Sequence, residues 1–454
     1  MKLTGRQKAA FGLGAFGKDI VYMLVATYLL NYYNVELGMS SVFIGAVLMG
    51  ARIFDALNDP IMGIVVAKTR TRWGRFRPWI FTGTVVNALA TYALFAVPEM
   101  ADSSARVWLT VFYLTWGVTY TLMDIPFWSM IPAITAPGRE REELSSLARA
   151  CAGVGDALPA VLTTIVVPIL SGGAAIGGWR VGYRLWALII AVFFVISEVL
   201  FCLNVPERNA QNIEAPGFKE MFASLIHNDQ AMTVVFSIIF VYASLNLVAN
   251  LFLYFCQYDL GDGSSFSLFT AVGFGGQVLT MALVPMMLKK VKKLRLYRFG
   301  VLVQIVGYVG LLAMTLPELH KALNWQILLL PVLIIYVGYG ILNVLLTIFL
   351  SDTVDYGEAK YGTREESVIF SMQTFTVKLS SGVAVFAAGV MIDLAGFSPE
   401  ASVQSGETLF SLRLFLAIPS MILLLIAWLI FTFAYRLDDE KMKEIGKKVG
   451  REER

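Results

Sequence analysis

The chain is poor in the residues that soluble chemistry usually draws on. Of its 454 residues only three are cysteine and two are histidine. Cys151, Cys202 and Cys256 all lie in apolar stretches, where they read as small buried hydrophobes and not as a disulfide framework. His227 falls in a polar loop and His320 in a short connection, so neither a histidine metal site nor a proton relay through histidine is implied. Charge is scarce as well: 15% of the residues are Asp, Glu, Lys or Arg, against about 25% in a soluble domain. The net charge of +3 implies no nucleic-acid partner. What fills the gap is hydrophobic, 57% of the chain, and the class is a polytopic helical membrane protein. The first apolar stretch follows Lys2, Arg6 and Lys8 as a signal peptide would, but it runs to about Tyr33 and holds Lys18 and Asp19, so it reads as a retained helix.

A spanning helix takes about 20 mostly apolar residues. Twelve stretches qualify: 9–33, 41–67, 79–98, 107–134, 148–171, 183–204, 231–258, 266–288, 296–316, 325–352, 366–394 and 409–434. Around them, 27 Lys and Arg residues fall on the side that holds both termini and 5 on the other. Basic residues collect in cytoplasmic loops, so both termini are expected in the cytoplasm, with the protein crossing the cytoplasmic membrane many times. The remaining four, Lys18, Arg52, Arg149 and Lys378, lie within or at the edge of predicted helices. The halves also repeat. Arg141-Glu142-Glu143 returns as Arg364-Glu365-Glu366, 223 residues later, and the basic loop 68–77 returns as 289–298. The longest polar connection, 205–230, lies between them. The expected organisation is all-α: one six-helix bundle over 1–204, a cytoplasmic linker over 205–230, a second bundle over 231–435 and a cytoplasmic tail over 436–454. Six helices plus six is the major facilitator architecture.

Polar residues at membrane depth are costly, about 2.5–3.5 kcal/mol for a charge at a helix centre, and they face a cavity or a partner. The predicted second helix carries Asp55, Asn58 and Asp59 at i, i+3 and i+4, one stripe of two carboxylates and an amide. Thr121 on the fourth helix adds a hydroxyl. Oxygen ligands of these kinds suit a hard cation such as sodium, held at Asp55 and Asp59; the alternative is a structural ion pair of Arg52 with Asp55. Also on the fourth helix, Tyr120, Asp124 and Trp128 follow one another at spacings of four. A carboxylate flanked by aromatic rings suits a sugar, the acid accepting from adjacent hydroxyls and the indole stacking on the C–H face, although Trp128 could equally be packing or an interfacial anchor. Asp19 on the first helix offers a second sugar carboxylate. Its neighbour Lys18 points elsewhere on a helix and is expected to pair elsewhere. Arg149 reaches the cavity or snorkels to the interface. Lys378, one turn after Thr374 on the eleventh helix, needs a carboxylate partner, with Asp55, Asp59 and Asp124 as candidates. Arg75 and Arg77 of the basic loop, with Arg141 and Arg364, form a cytoplasmic gate with acidic residues or serve as topology determinants touching lipid headgroups. Asp156, Glu198 and Asp393 also fall in predicted helices and receive no role.

The runs DALNDPIMG, TRTRWGRFRPW, YTLMDIPFWSMIP and SDTVDYGE, with Gln373-Thr374 and Lys378, resemble the glycoside–pentoside–hexuronide:cation symporters, and within that family most resemble the sodium-coupled melibiose-permease branch. The resemblance extends from Gly14 to the C-terminal tail. It implies that Asp55, Asn58, Asp59 and Thr121 bind the coupling cation (sodium, or lithium or a proton) with no other cofactor. It further implies that Asp19, Asp124, Trp128, Tyr120, Arg149 and Lys378 line or support the sugar site, to which Lys18 and Thr374 are added as candidates from their positions. That branch tends to carry a tryptophan where this chain has Asn343, a departure on the aglycone side of the pocket. The tail after Arg436 is short, without the phosphotransfer-type domain of some lactose-transporting relatives. The expected activity is secondary transport: a functional monomer in membrane lipid that imports a galactoside with a monovalent cation by alternating access. Another glycoside, a pentoside or a hexuronide is the alternative cargo. More remote are a glycosidase using Asp19 and Asp124, which requires carboxyls about 5–5.5 Å apart, and a lysolipid transporter.

Overall fold

The computed structural model describes residues 3–173, 178–207, 226–261, 265–316, 324–362, 364–397 and 404–450. The side chains of Ser41, Val42, Arg52, Ile53, Ala56, Leu57, Ala160 and Val161 are outside this description, as are His320, Lys321 and most of the 205–230 connection. All regular structure among the described residues is helical. Twelve long helices are α1 (Gly5–Asn31), α2 (Ser41–Lys68), α3 (Arg77–Phe95), α4 (Asp102–Ile134), α5 (Arg139–Leu170), α6 (Arg180–Asn204), α7 (Asp229–Tyr254), α8 (Ser265–Leu288), α9 (Lys293–Thr315), α10 (Leu329–Tyr361), α11 (Glu366–Leu394) and α12 (Gly406–Ala434). A short α13 (Asp439–Lys448) follows.

Nine of these helices are long and apolar enough to cross a membrane, and α5, counted as one span bent by 47° after Pro159, makes ten among the described residues. The two long helices outside that set are α2 and α4, which carry the polar stripes. Helix ends extend past several apolar windows because hydropathy reports the membrane core, whereas backbone hydrogen bonding continues into water. Thus α5 begins at Arg139, nine residues before its window, and α10 continues to Tyr361 through Asp352 and Lys360. At the start of α1, Thr4 Oγ1 accepts from Gln7 N and Gln7 Oε1 accepts from Thr4 N, a reciprocal cap that fixes the first turn before the membrane is reached.

The chain divides into two compact units, one formed by 1–224 with 357–375 and the extreme C-terminus, the other by 225–356 and 376–450. In the first, α1 packs on α5 and α6, α3 on α4 and α6, and α2 on α4. The approach of α1 to α6 is close: a Cβ on Gly17 would lie 1.9 Å from Ser197 Oγ. The basic 69–76 loop is anchored within this unit. Glu207, just past α6, accepts from the backbone N–H of Arg75 (2.6 Å) and of Phe76 (3.1 Å). Gly74 turns there at φ +114°, with no space for a side chain against Glu207. Burial pushes the Glu207 carboxyl above its usual range, and the two N–H donors oppose that shift.

In the second unit, α12 packs on α7 and α9. The tail is not simply a solvated strand of charge. Asp438 caps α13 by accepting from Lys441 N, Met442 and Ile445 are buried, and Asp439 lies 3.6 Å from Lys293, which is itself 2.8 Å from Asp352.

Candidate functional site

Within the first unit the stripes on α1, α2 and α4 come together. Asp59, fully buried on α2, accepts at Oδ1 from Thr121 Oγ1 of α4 at 3.0 Å. One turn back on each helix, Asp55 lies against Gly117, where a Cβ would stand 2.7 Å from Asp55 Oδ1. Glycine therefore lets the Asp55 carboxylate lie directly on the α4 backbone. Asn58 is half-buried, and its buried Nδ2 meets no acceptor. Two carboxylates and a hydroxyl thus collect at one α2–α4 crossing, with the Asn58 amide next to Asp59 on α2. Among the described residues no three acidic, Cys or His side chains gather as a transition-metal site would need. An all-oxygen set of this composition fits a hard cation.

One turn further along α4 lies a second group. Asp124 Oδ1 accepts from Trp128 Nε1 at 3.0 Å and lies 2.8 Å from Lys18 Nζ. Asp19 Oδ1 accepts from Tyr120 Oη at 2.9 Å and from Lys18 Nζ at 2.6 Å. Lys18 is 2% exposed, Asp19 8% and Asp124 7%, so one ammonium serves two carboxylates out of water. This corrects the expectation that Lys18 pairs away from its neighbour. Adjacent Cα–Cβ vectors on a helix do diverge, but the four-carbon lysine stem is long enough to bring the ammonium back onto Asp19. The cation also lies 4.8 Å from the centre of the Trp128 ring and 5.6 Å from that of Phe127. Arg149 of α5 stacks its guanidinium 3.8 Å from the centre of the Trp128 ring, and so reaches the group. Asp156 of α5 interacts electrostatically with Asp19 and Lys18.

The aromatic wall is wider than the Tyr120–Trp128 stripe. Trp116 stacks on Tyr120 at 5.8 Å and on Tyr22 at 5.7 Å, and Tyr22 lies 5.1 Å from Tyr120. Spacing by four from Tyr120 back to Trp116 could have found the tryptophan; Tyr22, three residues after Asp19 on α1, follows the same rule. No pattern marks Gly117, whose role depends on what packs against it.

The four arginines of the basic loops sit as follows. Arg75 donates from Nη1 to Glu366 Oε2 (3.3 Å) and from Nη2 to Ser367 Oγ (3.2 Å). Arg77 donates from Nε to Val205 O at 3.1 Å. Arg141, wholly buried, donates from Nη2 to Thr135 O at 3.0 Å. Arg364 donates to Glu358 Oε2 and to Pro132 O, both at 2.6 Å, and pairs with Glu366. The repeated Arg-Glu-Glu triplets thus act alike, each arginine reaching back to the end of the helix before it.

Thr374 turns its hydroxyl onto Phe370 O of its own helix at 3.2 Å, and Lys378 is half-buried on the part of α11 that belongs to the second unit. Also in that unit, Asn343 donates from Nδ2 to Tyr242 Oη (2.8 Å) and Tyr339 Oη (3.3 Å), while its buried Oδ1 meets no donor.

Residues 10–439 match the family described as MFS/sugar transport protein. The chain belongs to that family. Among curated relatives, it is 28% identical to the lactose permease of Lactobacillus delbrueckii subsp. bulgaricus, over 98% of this chain and 72% of that one. It is also 28% identical to the raffinose carrier protein of Pediococcus pentosaceus, over 96% and 70% of the two. Among solved structures, the proton:xylose symporter XylE bound to 6-bromo-6-deoxy-D-glucose superposes with a TM-score of 0.66 at 14% identity, covering 97% of this chain and 98% of that one. The fold is therefore the all-helical major facilitator fold. These relatives are carriers and not enzymes.

Proposed function

We propose that this chain is a secondary active transporter that carries a galactoside together with a monovalent cation, by alternating access across the cytoplasmic membrane with both termini in the cytoplasm. The observation that carries this reading is the placement of two sites one turn apart on α4. Thr121 joins Asp59, while Asp124 joins Trp128 and Lys18. The first set would hold sodium, lithium or a proton through Asp55, Asn58, Asp59 and Thr121. The second would hold the sugar through Asp19, Asp124, Tyr120, Trp128 and Arg149, with Thr374 in support. Arg75, Arg77, Arg141 and Arg364 would order the cytoplasmic face. The lactose permease and raffinose carrier among the relatives support a sugar with a galactosyl group. A melibiose-type disaccharide fits the run Met123-Asp124-Ile125-Pro126-Phe127-Trp128.

Uptake of labelled α- and β-galactosides into vesicles, each with sodium, lithium or only protons present, tests the reading. At least one galactoside is expected to accumulate against its gradient with one of these ions and not without it. Accumulation of none of them under any ion would reject it.

The cation site carries its own prediction. Gly117→Ala places a Cβ where the Asp55 carboxylate now lies, so that carboxylate must shift. The cation concentration for half-maximal stimulation of uptake is expected to rise about tenfold, ~1.4 kcal/mol, with sugar affinity at saturating cation little changed. A titration of uptake against sodium that matches wild type would place Asp55 outside the cation site.

A further inference from the structure

Glu198 is a buried carboxyl that neither the sugar site nor the cation site uses. It stands on α6 with 1% of its surface exposed, and neither Oε1 nor Oε2 has a hydrogen-bond donor. Its surroundings are close-packed. Next to it, Ser197 meets α1 at Gly17, and one turn on, Phe201 packs against Phe11 and Phe127 at ring-centre distances of 5.2 and 4.9 Å. The charged groups that act on it are Lys18 and Asp19 of α1 and Asp124 of α4. On its own helix the titratable neighbour is Cys202. From α5, Asp156 interacts electrostatically with Lys18, Asp19 and Asp124, and with Arg149 of its own helix. From α3, Arg77 acts on Cys202, and the buried polar residues Thr84, Asn87 and Thr91 do not titrate.

An ionised carboxylate out of water without a donor is strongly disfavoured, because burial removes its hydration and nothing replaces it. Lys18 is the cation that could relieve it, but its ammonium is engaged by Asp19 and Asp124 at 2.6 and 2.8 Å. If sugar hydroxyls take over those two carboxylates, the ammonium loses partners and the nearby acid gains one.

We propose that Glu198 is a proton-binding site linked to sugar binding through Lys18, an inference that rests on the sugar-site reading above. While Lys18 is held by Asp19 and Asp124, the Glu198 carboxyl carries a proton. When sugar engages those carboxylates, the O–H bond at Glu198 breaks, the proton passes to water, and the Lys18–Glu198 ion pair forms. The balance needs no other reactant. Sugar and proton then oppose one another at this group: raising pH strengthens sugar binding, and sugar expels the proton.

The test has two arms. The first is free of sugar: infrared spectra of the purified, lipid-reconstituted protein, recorded as pH is raised. Wild type is expected to show a protonated-carboxyl band that Glu198→Gln lacks and that Glu198→Asp restores at a shifted frequency. Glutamine keeps the shape and neutrality of the protonated acid, so the fold is retained, and a thermal melt checks it; the frequency shift in Glu198→Asp makes the same assignment should the glutamine variant unfold.

The second arm is calorimetry of 4-nitrophenyl α-D-galactopyranoside binding in two buffers of different protonation enthalpy. Wild type is expected to release up to one more proton per sugar bound than Glu198→Gln, and Glu198→Asp to recover the difference. A carboxyl band identical in wild type and both variants overturns the proposal whatever the sugar does. So does a band assigned to Glu198 with equal proton release in wild type and Glu198→Gln. Absence of galactoside binding in wild type, with the band still assigned to Glu198, removes the sugar linkage and with it the proposal, while leaving a buried proton-carrying acid.

Discussion

Asp124→Asn is expected to lower sugar affinity by at least about a hundredfold while cation binding persists. Asp124 is the point where the group on α4 converges, accepting at one oxygen from Trp128 and contacting Lys18. A sugar bound there would replace these partners with its own hydroxyls, each hydrogen bond to a charged acceptor being worth about 1.5–3 kcal/mol. The amide keeps the shape but loses the charge, and two such bonds lost amount to about 3–6 kcal/mol on the same scale. Asp19→Asn is expected to act in the same direction, because Asp19 holds Tyr120 and Lys18 in the matching role. The cation site should be spared, since Asp59 and Thr121 meet one turn away. Direct binding of labelled galactoside and of sodium to the purified variants separates the two effects. Normal sugar affinity in both variants would mean that the sugar binds elsewhere.

The second large effect concerns coupling. In Asp59→Cys, sugar is expected to bind and to equilibrate down its gradient, while sodium neither stimulates binding nor drives accumulation. Asp59 is wholly buried and its contact with Thr121 ties α2 to α4. Sodium held by Asp55 and Asp59 would strengthen that tie and set Asp124, one turn along α4, for the sugar. The substitution removes one cation ligand and half of the carboxylate charge, and leaves Asp19, Asp124 and Trp128 untouched. Coupling of this kind is typically 1–3 kcal/mol and reciprocal, so loss of sodium's effect on sugar binding must be matched by an equal loss of sugar's effect on sodium binding. Sodium-driven accumulation at the wild-type level in this variant would show that the cation sits elsewhere.

The parts of this molecule that sequence makes legible are those governed by short-range periodicity. The twelve apolar windows correspond to the twelve long helices because each spanning helix must satisfy its own backbone within the membrane, and their ends differ where capping or polar turns extend a helix beyond the apolar span. The pairing of Asp55, Asn58 and Asp59 on one face, and of Thr121 with Asp124 one turn apart, likewise follows from helical geometry. What cannot be read this way depends on which helix lies opposite. Gly117 looks like any glycine until Asp55 is seen lying on it. Cα–Cβ directions alone send Lys18 away from Asp19, whereas the long side chain bends back to reach the charge. Periodicity gives the angle of Glu198 around α6 but not that Lys18 is close enough to act on it. The aromatic wall through Tyr22 and Trp116 was within reach of the spacing rule, but the rule alone does not tell packing from lining.

Lys18 has an electrical consequence. With its ammonium shared between Asp19 and Asp124, the group carries one net negative charge instead of two before any ligand arrives. A charge carried through the full membrane voltage does work of about 2.3 kcal/mol per 100 mV. Cancelling one of them would remove that amount of voltage dependence from the return of an empty carrier. A Lys18→Met carrier would make its empty return step one unit charge more sensitive to voltage.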